Sequence, residues 1–130
     1  MKSFPKIVIV NDEQFFLELM EMMIPLWFKT ATILTFTDPA KALEELAREN
    51  PDLLITGVQM PKIDGGYIVQ RLSEKEVTYP IIVTSGLPDD AQWVQEYANK
   101  GLRVDYLFVG SPPEDWQRLL FAGLGQKAEP

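Results

Sequence analysis

Three short runs of apolar residues constrain the fold of this chain more than any other sequence feature. They occupy residues 7–10, 53–55 and 81–83, and no polar residue interrupts them. Unbroken apolar runs of this length are typical of strands that are covered on both faces, as in a parallel sheet. Patterns typical of helices separate the runs, which predicts consecutive βα units.

Two further runs, residues 32–36 and 104–108, mix apolar and polar residues, as expected for strands nearer the sheet edges. Five βα units with right-handed crossovers form a three-layer α/β sandwich. We expect one domain over residues 1–125, because a chain of 130 residues is too short for two. Residues 126–130 carry no helical pattern and are predicted to be a disordered tail or the start of a linker.

Local signals mark the starts of two helices. Asp38 followed by Pro39 predicts an N-cap and the first helical residue of the second helix. Ser111 and Glu114 have the spacing of a capping box at the start of the last helix. On the outer face of the second helix, Glu44 and Arg48 are spaced for an ion pair.

The composition excludes several classes of function. The chain has no Cys and no His, so disulfides, thiolate or imidazole metal sites and Cys-His or Ser-His-Asp catalytic sets are excluded. A net charge of −7 argues against nucleic-acid binding, which needs clustered Lys and Arg. No apolar run approaches the roughly 20 residues that span a bilayer. We therefore expect no membrane contact, and the lack of Cys fits a cytoplasmic location.

In this architecture, ligands bind beyond the carboxyl ends of the strands, where the strand order reverses. The residues that follow the first, third and fourth apolar runs are therefore the site candidates. They are Asn11, Asp12, Gly57, Thr84, Ser85 and Gly86. No pair of nucleophile and base can be assembled from this set, so we expect a protein that is not an enzyme.

Residues 51–65 read Pro-Asp-Leu-Leu-Ile-Thr-Gly-Val-Gln-Met-Pro-Lys-Ile-Asp-Gly. This segment closely resembles the centre of the receiver domains of bacterial two-component response regulators, and the resemblance extends over about residues 5–125. It implies a flavodoxin-like (βα)5 fold with strand order 2-1-3-4-5. In that family, the position of Gly57 holds the aspartate that accepts the phosphoryl group. Here the acceptor position has no side chain.

The resemblance also implies a Mg²⁺ site, formed in the family by an acidic pair, the acceptor and a backbone carbonyl at the position of Gln59. The usual Asp-Asp-Glu at the end of the first strand is Asn11, Asp12 and Glu13 in this chain. Mg²⁺ prefers carboxylate and other oxygen ligands, and Asp12 is the one clear carboxylate left at these positions. We therefore expect no cofactor, and at most weak Mg²⁺ binding through Asp12.

The switch residues of the family are only partly retained. Ser85 lies where a Ser or Thr senses the phosphoryl group, and Tyr106 lies where an aromatic residue rotates inward on activation. The family's lysine is missing, because its place falls on Val109, or on Gly110 if the alignment shifts by one. The acceptor, one metal-binding acid and the lysine are lost together. This joint loss indicates a degenerate receiver, or pseudo-receiver, without a phosphoacceptor.

Simpler structural explanations exist for several of these residues. Gly57 would serve a turn that needs a positive φ or a close backbone contact. Asp12 would cap the first helix, and Ser85 would bond to backbone at the end of its strand. Asp64 and Gly65 are most simply a turn followed by a helix start.

Aromatic residues predict an interaction surface. Trp93, Tyr97, Tyr106 and Trp116 fall in the fourth helix, the fifth strand and the fifth helix, which in receivers form the usual dimer or partner face. Aromatic anchors are enriched at binding hot spots, and the alternative is that one or two of them pack into the core. The implied partners are a histidine kinase, another regulator, an output domain or a second copy of the chain.

The first helix is apolar nearly all round, which predicts burial on more than one side or an adaptable, Met-rich binding surface. Its apolar residues are Phe15, Phe16, Leu19, Met20, Met22, Met23 and Leu26. Pro25 should end or kink this helix. Trp27 and Phe28 would then be displayed just beyond it.

Three hypotheses for the function follow. The first is a signalling module that acts through constitutive protein contacts. The second is a working receiver with another acceptor, such as Asp12, Ser85 or Thr56. The third is a small-molecule sensor that uses the empty space beside Gly57. A flavin protein of the same architecture lacks support, because residues 11–16 contain no Gly- and hydroxyl-rich phosphate loop.

Overall fold

The computed structural model describes residues 4–125, in which five strands alternate with five helices. The strands are β1 (Lys6–Val10), β2 (Thr32–Phe36), β3 (Leu53–Gly57), β4 (Ile81–Ser85) and β5 (Val104–Phe108). The helices are α1 (Gln14–Trp27), α2 (Pro39–Arg48), α3 (Gly65–Glu74), α4 (Asp90–Asn99) and α5 (Pro113–Leu124). The predicted tail, residues 126–130, lies outside the described residues.

The five strands form one parallel sheet in the order β2-β1-β3-β4-β5. This order confirms the predicted fold. The chain leaves β1 for β2 on one side and later returns to place β3 on the other side of β1. The carboxyl ends of β1 and β3 therefore flank the crevice in which such sheets bind ligands.

The unbroken apolar strands serve two cores. Ile7 and Ile9 of β1 pack with α1 and α5 on one face of the sheet, and Val8 and Val10 pack with α2, α3 and α4 on the other. Successive side chains of a strand point to opposite faces. A strand between two helix layers therefore favours apolar residues at consecutive positions, which is the pattern of residues 7–10, 53–55 and 81–83.

Local sequence signals predict one helix start correctly and fail for two other helix features. The Asp38 side chain accepts a hydrogen bond from the Ala40 N–H at 2.9 Å, as predicted for an N-cap. The predicted capping box of α5 is wrong, because Pro112 takes the N-cap position and no side chain bonds there. The predicted ion pair of Glu44 and Arg48 is also wrong, because the Arg48 guanidinium bonds to Glu45, three residues away.

The end of α1 differs from the expectation at Pro25. The helix continues through Pro25 to Trp27, and the Phe28 N–H donates to the Ile24 carbonyl at 2.8 Å. Proline removes one N–H, and near a helix end that loss leaves the last turn intact. Phe28 is not displayed but buried, with its ring 4.8 Å from that of Phe121. Within residues 4–125, no helix is both long and apolar enough to cross a membrane.

Candidate functional site

Asn11, Gly57 and Thr84 lie at the carboxyl ends of three neighbouring strands, β1, β3 and β4. Gly57 is the strand partner of Thr84, and Asn11 directly follows Val10, the partner of Thr56. The three residues therefore form one row at the carboxyl edge of the sheet, on the face that α1 and α5 cover. This row forms the floor of the candidate site.

Asn11 occupies the space next to the acceptor position. A Cβ atom placed on Gly57 would lie 2.9 Å from Asn11 Nδ2 and 3.3 Å from Asn11 Cγ. Asn11 is buried, and its Oδ1 accepts a hydrogen bond from the Glu13 N–H at 2.9 Å. An aspartate at position 57 would therefore have to displace an anchored amide.

Gly57 belongs to β3 and does not have a positive φ, so the turn explanation for this glycine is wrong. The close backbone contact belongs to Gly65 instead. A Cβ on Gly65 would lie 2.1 Å from the Gly57 carbonyl oxygen, and no side chain can be accommodated there. Asp64 caps α3 by accepting from the Tyr67 N–H at 2.8 Å, so the predicted turn and helix start are confirmed.

The donor set beside Gly57 does not fit Mg²⁺. Asp12 and Glu13 are exposed at the mouth of the crevice, and the Oδ1 of Asn11 is already bonded to the Glu13 N–H. Mg²⁺ needs near-octahedral oxygen ligation. Among the described residues, no group of three or more acidic, His or Cys side chains is arranged to hold a metal. The alternative role of Asp12 as a helix cap is also wrong, because Glu13 is the N-cap of α1 and makes no side-chain bond there.

Val109, and not Gly110, lines the crevice at the position where the family's lysine was expected. The Val109 N–H donates to the Ser85 carbonyl at 2.9 Å, which fixes its place beside the end of β4. The crevice encloses about 760 Å³. No Lys or Arg is present among its lining residues, so nothing there would neutralise a phosphoryl group.

Ser85 and Tyr106 form a closed hydrogen-bonded cluster. The Tyr106 hydroxyl lies 3.0 Å from Ser85 Oγ and 3.1 Å from the carbonyl oxygens of Ser85 and Leu87. Ser85 Oγ also accepts from the Leu87 N–H at 3.1 Å. The structure therefore confirms the alternative explanation of Ser85, that its hydroxyl bonds to backbone at the end of β4. Leu87 was not singled out from the sequence, because an isolated exposed leucine in a loop gives no signal.

Trp116 does not belong to the predicted aromatic surface. Trp116 is only 2% exposed and packs 5.8 Å from the ring of Phe16, so it belongs to the core. Trp93 and Tyr97 are half-buried on α4, with their rings edge to face at 6.2 Å. Tyr106 is also half-buried. These three remain available as a partly exposed aromatic group.

A second apolar surface runs along α1. Phe15, Leu19, Met22 and Leu26 are between 38% and 76% exposed, and their spacing of four, three and four residues places them on one helix face. We call this group the α1 stripe. The prediction that α1 is buried on more than one side is therefore wrong, because only the opposite face reaches the core.

Comparisons with known proteins agree with this geometry. The family model of the response regulator receiver domain matches residues 7–108. A response regulatory protein of Staphylococcus epidermidis is 31% identical over 107 residues, covering 78% of this chain and 39% of the relative. The alkaline phosphatase synthesis regulator PhoP of Bacillus subtilis is 26% identical over 85 residues, covering 65% of this chain and 35% of that protein.

A solved structure shows the same fold. The signal receiver domain of an HD domain-containing protein from Pseudomonas fluorescens Pf-5 superposes with a TM-score of 0.78, at 24% identity, covering 96% of this chain and 90% of the other. The chain spans well under half the length of the two curated relatives described above. The chain belongs to the family of response regulator receiver domains.

Proposed function

We propose that this receiver domain works without phosphorylation, as a signalling module that contacts protein partners constitutively and catalyses no reaction. The observation that carries the proposal is the pair of Gly57 and Asn11. The acceptor position has no side chain, and the Asn11 amide lies only 2.9 Å from where a Cβ atom on Gly57 would be. The chain's place in the response regulator family supports a role in two-component signal transduction.

The charges of the crevice support the same proposal. A phosphoryl group brings a charge of about −1.5 to −2 at neutral pH. The charged residues that line the crevice are Asp12 and Glu13, both negative. Without a lysine or a well-ligated cation, the added charge would be repelled and left unpaired.

The alternative acceptors differ in accessibility. Thr56 is completely buried, and its hydroxyl donates to the Gly57 carbonyl at 2.9 Å. Ser85 is buried and bonded to Leu87 and Tyr106. Asp12 alone of the three candidates is exposed. Asp12 is therefore the most accessible of the three candidate acceptors.

The α1 stripe supports the proposed protein contacts. Exposed apolar groups of this kind mark interaction surfaces in soluble proteins. Receiver domains interact with kinases, other regulators or output domains. We propose the α1 stripe, together with Trp93, Tyr97 and Tyr106, as the surfaces that serve such a partner or a second copy. The net charge of −7 favours a protein partner over nucleic acid, and the cytoplasmic location stays a prediction.

The test is an intact-mass measurement after incubation with Mg²⁺ and acetyl phosphate. We expect no phosphoryl adduct on the unmodified chain, and none on Gly57→Asp, because Asn11 and Val109 still deny the metal and the cation. A single adduct that disappears in Asp12→Asn would replace the proposal with a working receiver at Asp12. An adduct that survives in Asp12→Asn would equally contradict the proposal and indicate another acceptor.

A further inference from the structure

The row of Asn11, Gly57 and Thr84 brings two polar side chains to the carboxyl edge of the sheet. The middle residue has no side chain, while its neighbours carry an amide and a hydroxyl on the same face of the sheet. The amide of Asn11 borders the position of a missing Cβ at Gly57. A small group entering the crevice would thus meet hydrogen-bonding atoms on both sides of Gly57.

Thr84 points to such a group independently. Thr84 is 1% exposed, and its Oγ1 has no hydrogen-bond partner among the described residues. A buried hydroxyl without a partner is costly, and native proteins rarely keep one. Thr84 also lines the crevice beside Gly57. A ligand that offers a donor or acceptor there would satisfy this hydroxyl.

Apolar and polar residues together line the crevice, and its volume suits a small molecule. The volume of about 760 Å³ falls within the usual range of ligand sites, roughly 300 to 1,000 Å³. The apolar side chains of the lining form a surface that a ring system can contact. The apolar side chains of the lining are those of Phe15, Phe16, Leu19, Val58, Leu87 and Val109.

The charges restrict the class of ligand. Asp12 and Glu13, at the exposed mouth, repel anions such as phosphates and carboxylates. Deeper in the crevice, Asn11 and Thr84 are neutral, so a cation would lose water without gaining a buried counter-charge. An uncharged ligand avoids both costs.

We propose that the crevice beside Gly57 binds a small uncharged molecule, with an apolar ring system against Phe15, Leu19 and Val109 and one hydrogen-bonding group towards Asn11 and Thr84. The ligand would occupy the open part of the crevice beyond the Asn11 amide, which itself fills the place of the missing acceptor side chain. The inference goes beyond the proposed function and does not depend on it, because a ligand can bind whether or not another residue is phosphorylated.

The test compares two fluorescent probes that share a ring system, the neutral N-phenylnaphthylamine and its sulfonated analogue, anilinonaphthalene sulfonate. We expect saturable one-to-one binding of the neutral probe, about tenfold or more tighter than that of the anion. At saturation, the backbone amide resonances of Gly57 and Thr84 should shift, while that of Gln95 on the exposed side of α4 should not.

Variants separate the crevice from the rest of the apolar surface. Val109→Glu and Leu87→Gln change partly exposed wall residues and should weaken the neutral probe about tenfold. Met22→Gln changes an exposed residue of the α1 stripe outside the crevice and should leave the affinity unchanged, with melting curves checking the fold of each variant. Equal affinity for both probes, or equal effects of the crevice variants and Met22→Gln, would overturn the inference. An intact-mass result in either direction would leave it standing.

Discussion

At the scale of single residues, the contact between Gly57 and Asn11 determines what the site can hold. Gly57→Ala adds one Cβ at 2.9 Å from Asn11 Nδ2, a distance that forces the amide to move. We expect this variant to lose about 1 kcal/mol of unfolding free energy. The loss should shrink when Asn11→Ala is made in the same molecule, because the two residues are coupled.

Chemical denaturation of the four proteins in this double-mutant cycle measures the coupling. Gly86→Ala is the matched control, since a Cβ at Gly86 would meet no atom within 4 Å. That substitution should change the stability little. If Gly57→Ala costs the same with and without Asn11, the amide does not fill the acceptor's place.

At the scale of elements, α1 presents two faces of similar composition and opposite roles. Met20 is 1% exposed in the core between the sheet and α5, and Met22 lies on the α1 stripe. Met20→Ala should cost about 2–5 kcal/mol of unfolding free energy through lost burial and a cavity. Met22→Ala should change the stability by less than about 0.5 kcal/mol.

Thermal or chemical unfolding of both variants distinguishes the buried face of α1 from the α1 stripe. Sedimentation velocity then measures association. If the α1 stripe is a contact surface, Met22→Glu should reduce association with a partner or a second copy while the fold persists. A large stability loss in Met22→Ala would instead show that this face is covered within the fold.

A second element-scale feature joins the start of β1 to the end of α2. Lys6 Nζ lies 2.5 Å from carboxylate oxygens of both Glu45 and Glu49. Burial lowers the pKa of Lys6, but its hydrogen bonds to the two carboxylates outweigh burial and hold the pKa above its ordinary value. The hydrogen bond from Lys6 holds the pKa of Glu45 and that of Glu49 below the ordinary 4.5.

These shifts predict the pH dependence of stability. The two carboxylates stabilise the fold above pH 4.5, their ordinary value in the unfolded chain, and this stabilisation is lost as the pH falls through their lower folded values. The contribution of Lys6 is complete below pH 10.5 and is lost as the pH rises through its raised folded value. Lys6→Met should therefore lower the unfolding free energy at pH 7 and flatten its decline in acid.

Urea unfolding between pH 7 and pH 3 checks this expectation. Arg118→Gln is the control, because it removes an exposed ion pair with Asp115 and should leave the pH profile unchanged. Parallel profiles for the unmodified chain and Lys6→Met would show that the cluster around Lys6 contributes no pH dependence.

At the scale of the whole molecule, the sheet could be predicted because burial on both faces favours apolar residues at consecutive positions of a strand. A strand between two helix layers favours apolar residues at consecutive positions, and Ile7, Val8, Ile9 and Val10 show this pattern without any tertiary information. The positions of Asn11, Gly57 and Thr84 at one sheet edge follow from the same topology.

Features that depend on helix rotation and on neighbours could not be predicted. Trp116 is buried because α5 turns that residue towards Phe16, and spacing along the chain does not set that rotation. The α1 stripe is exposed although its residues are as apolar as those of the buried face. The Asn11 amide fills the acceptor's place through a contact between two strands, which neither residue indicates alone.

We propose that the acceptor, the metal-binding acid and the lysine have been lost as a unit, and intact mass after incubation with Mg²⁺ and acetyl phosphate is the decisive measurement. The triple variant Gly57→Asp, Asn11→Asp and Val109→Lys, which restores the acceptor, the acid and the lysine, is the positive control. We predict one phosphoryl group on the triple variant and none on the unmodified chain. A phosphoryl adduct on the unmodified chain would show that the domain is still phosphorylated and that the proposal is wrong.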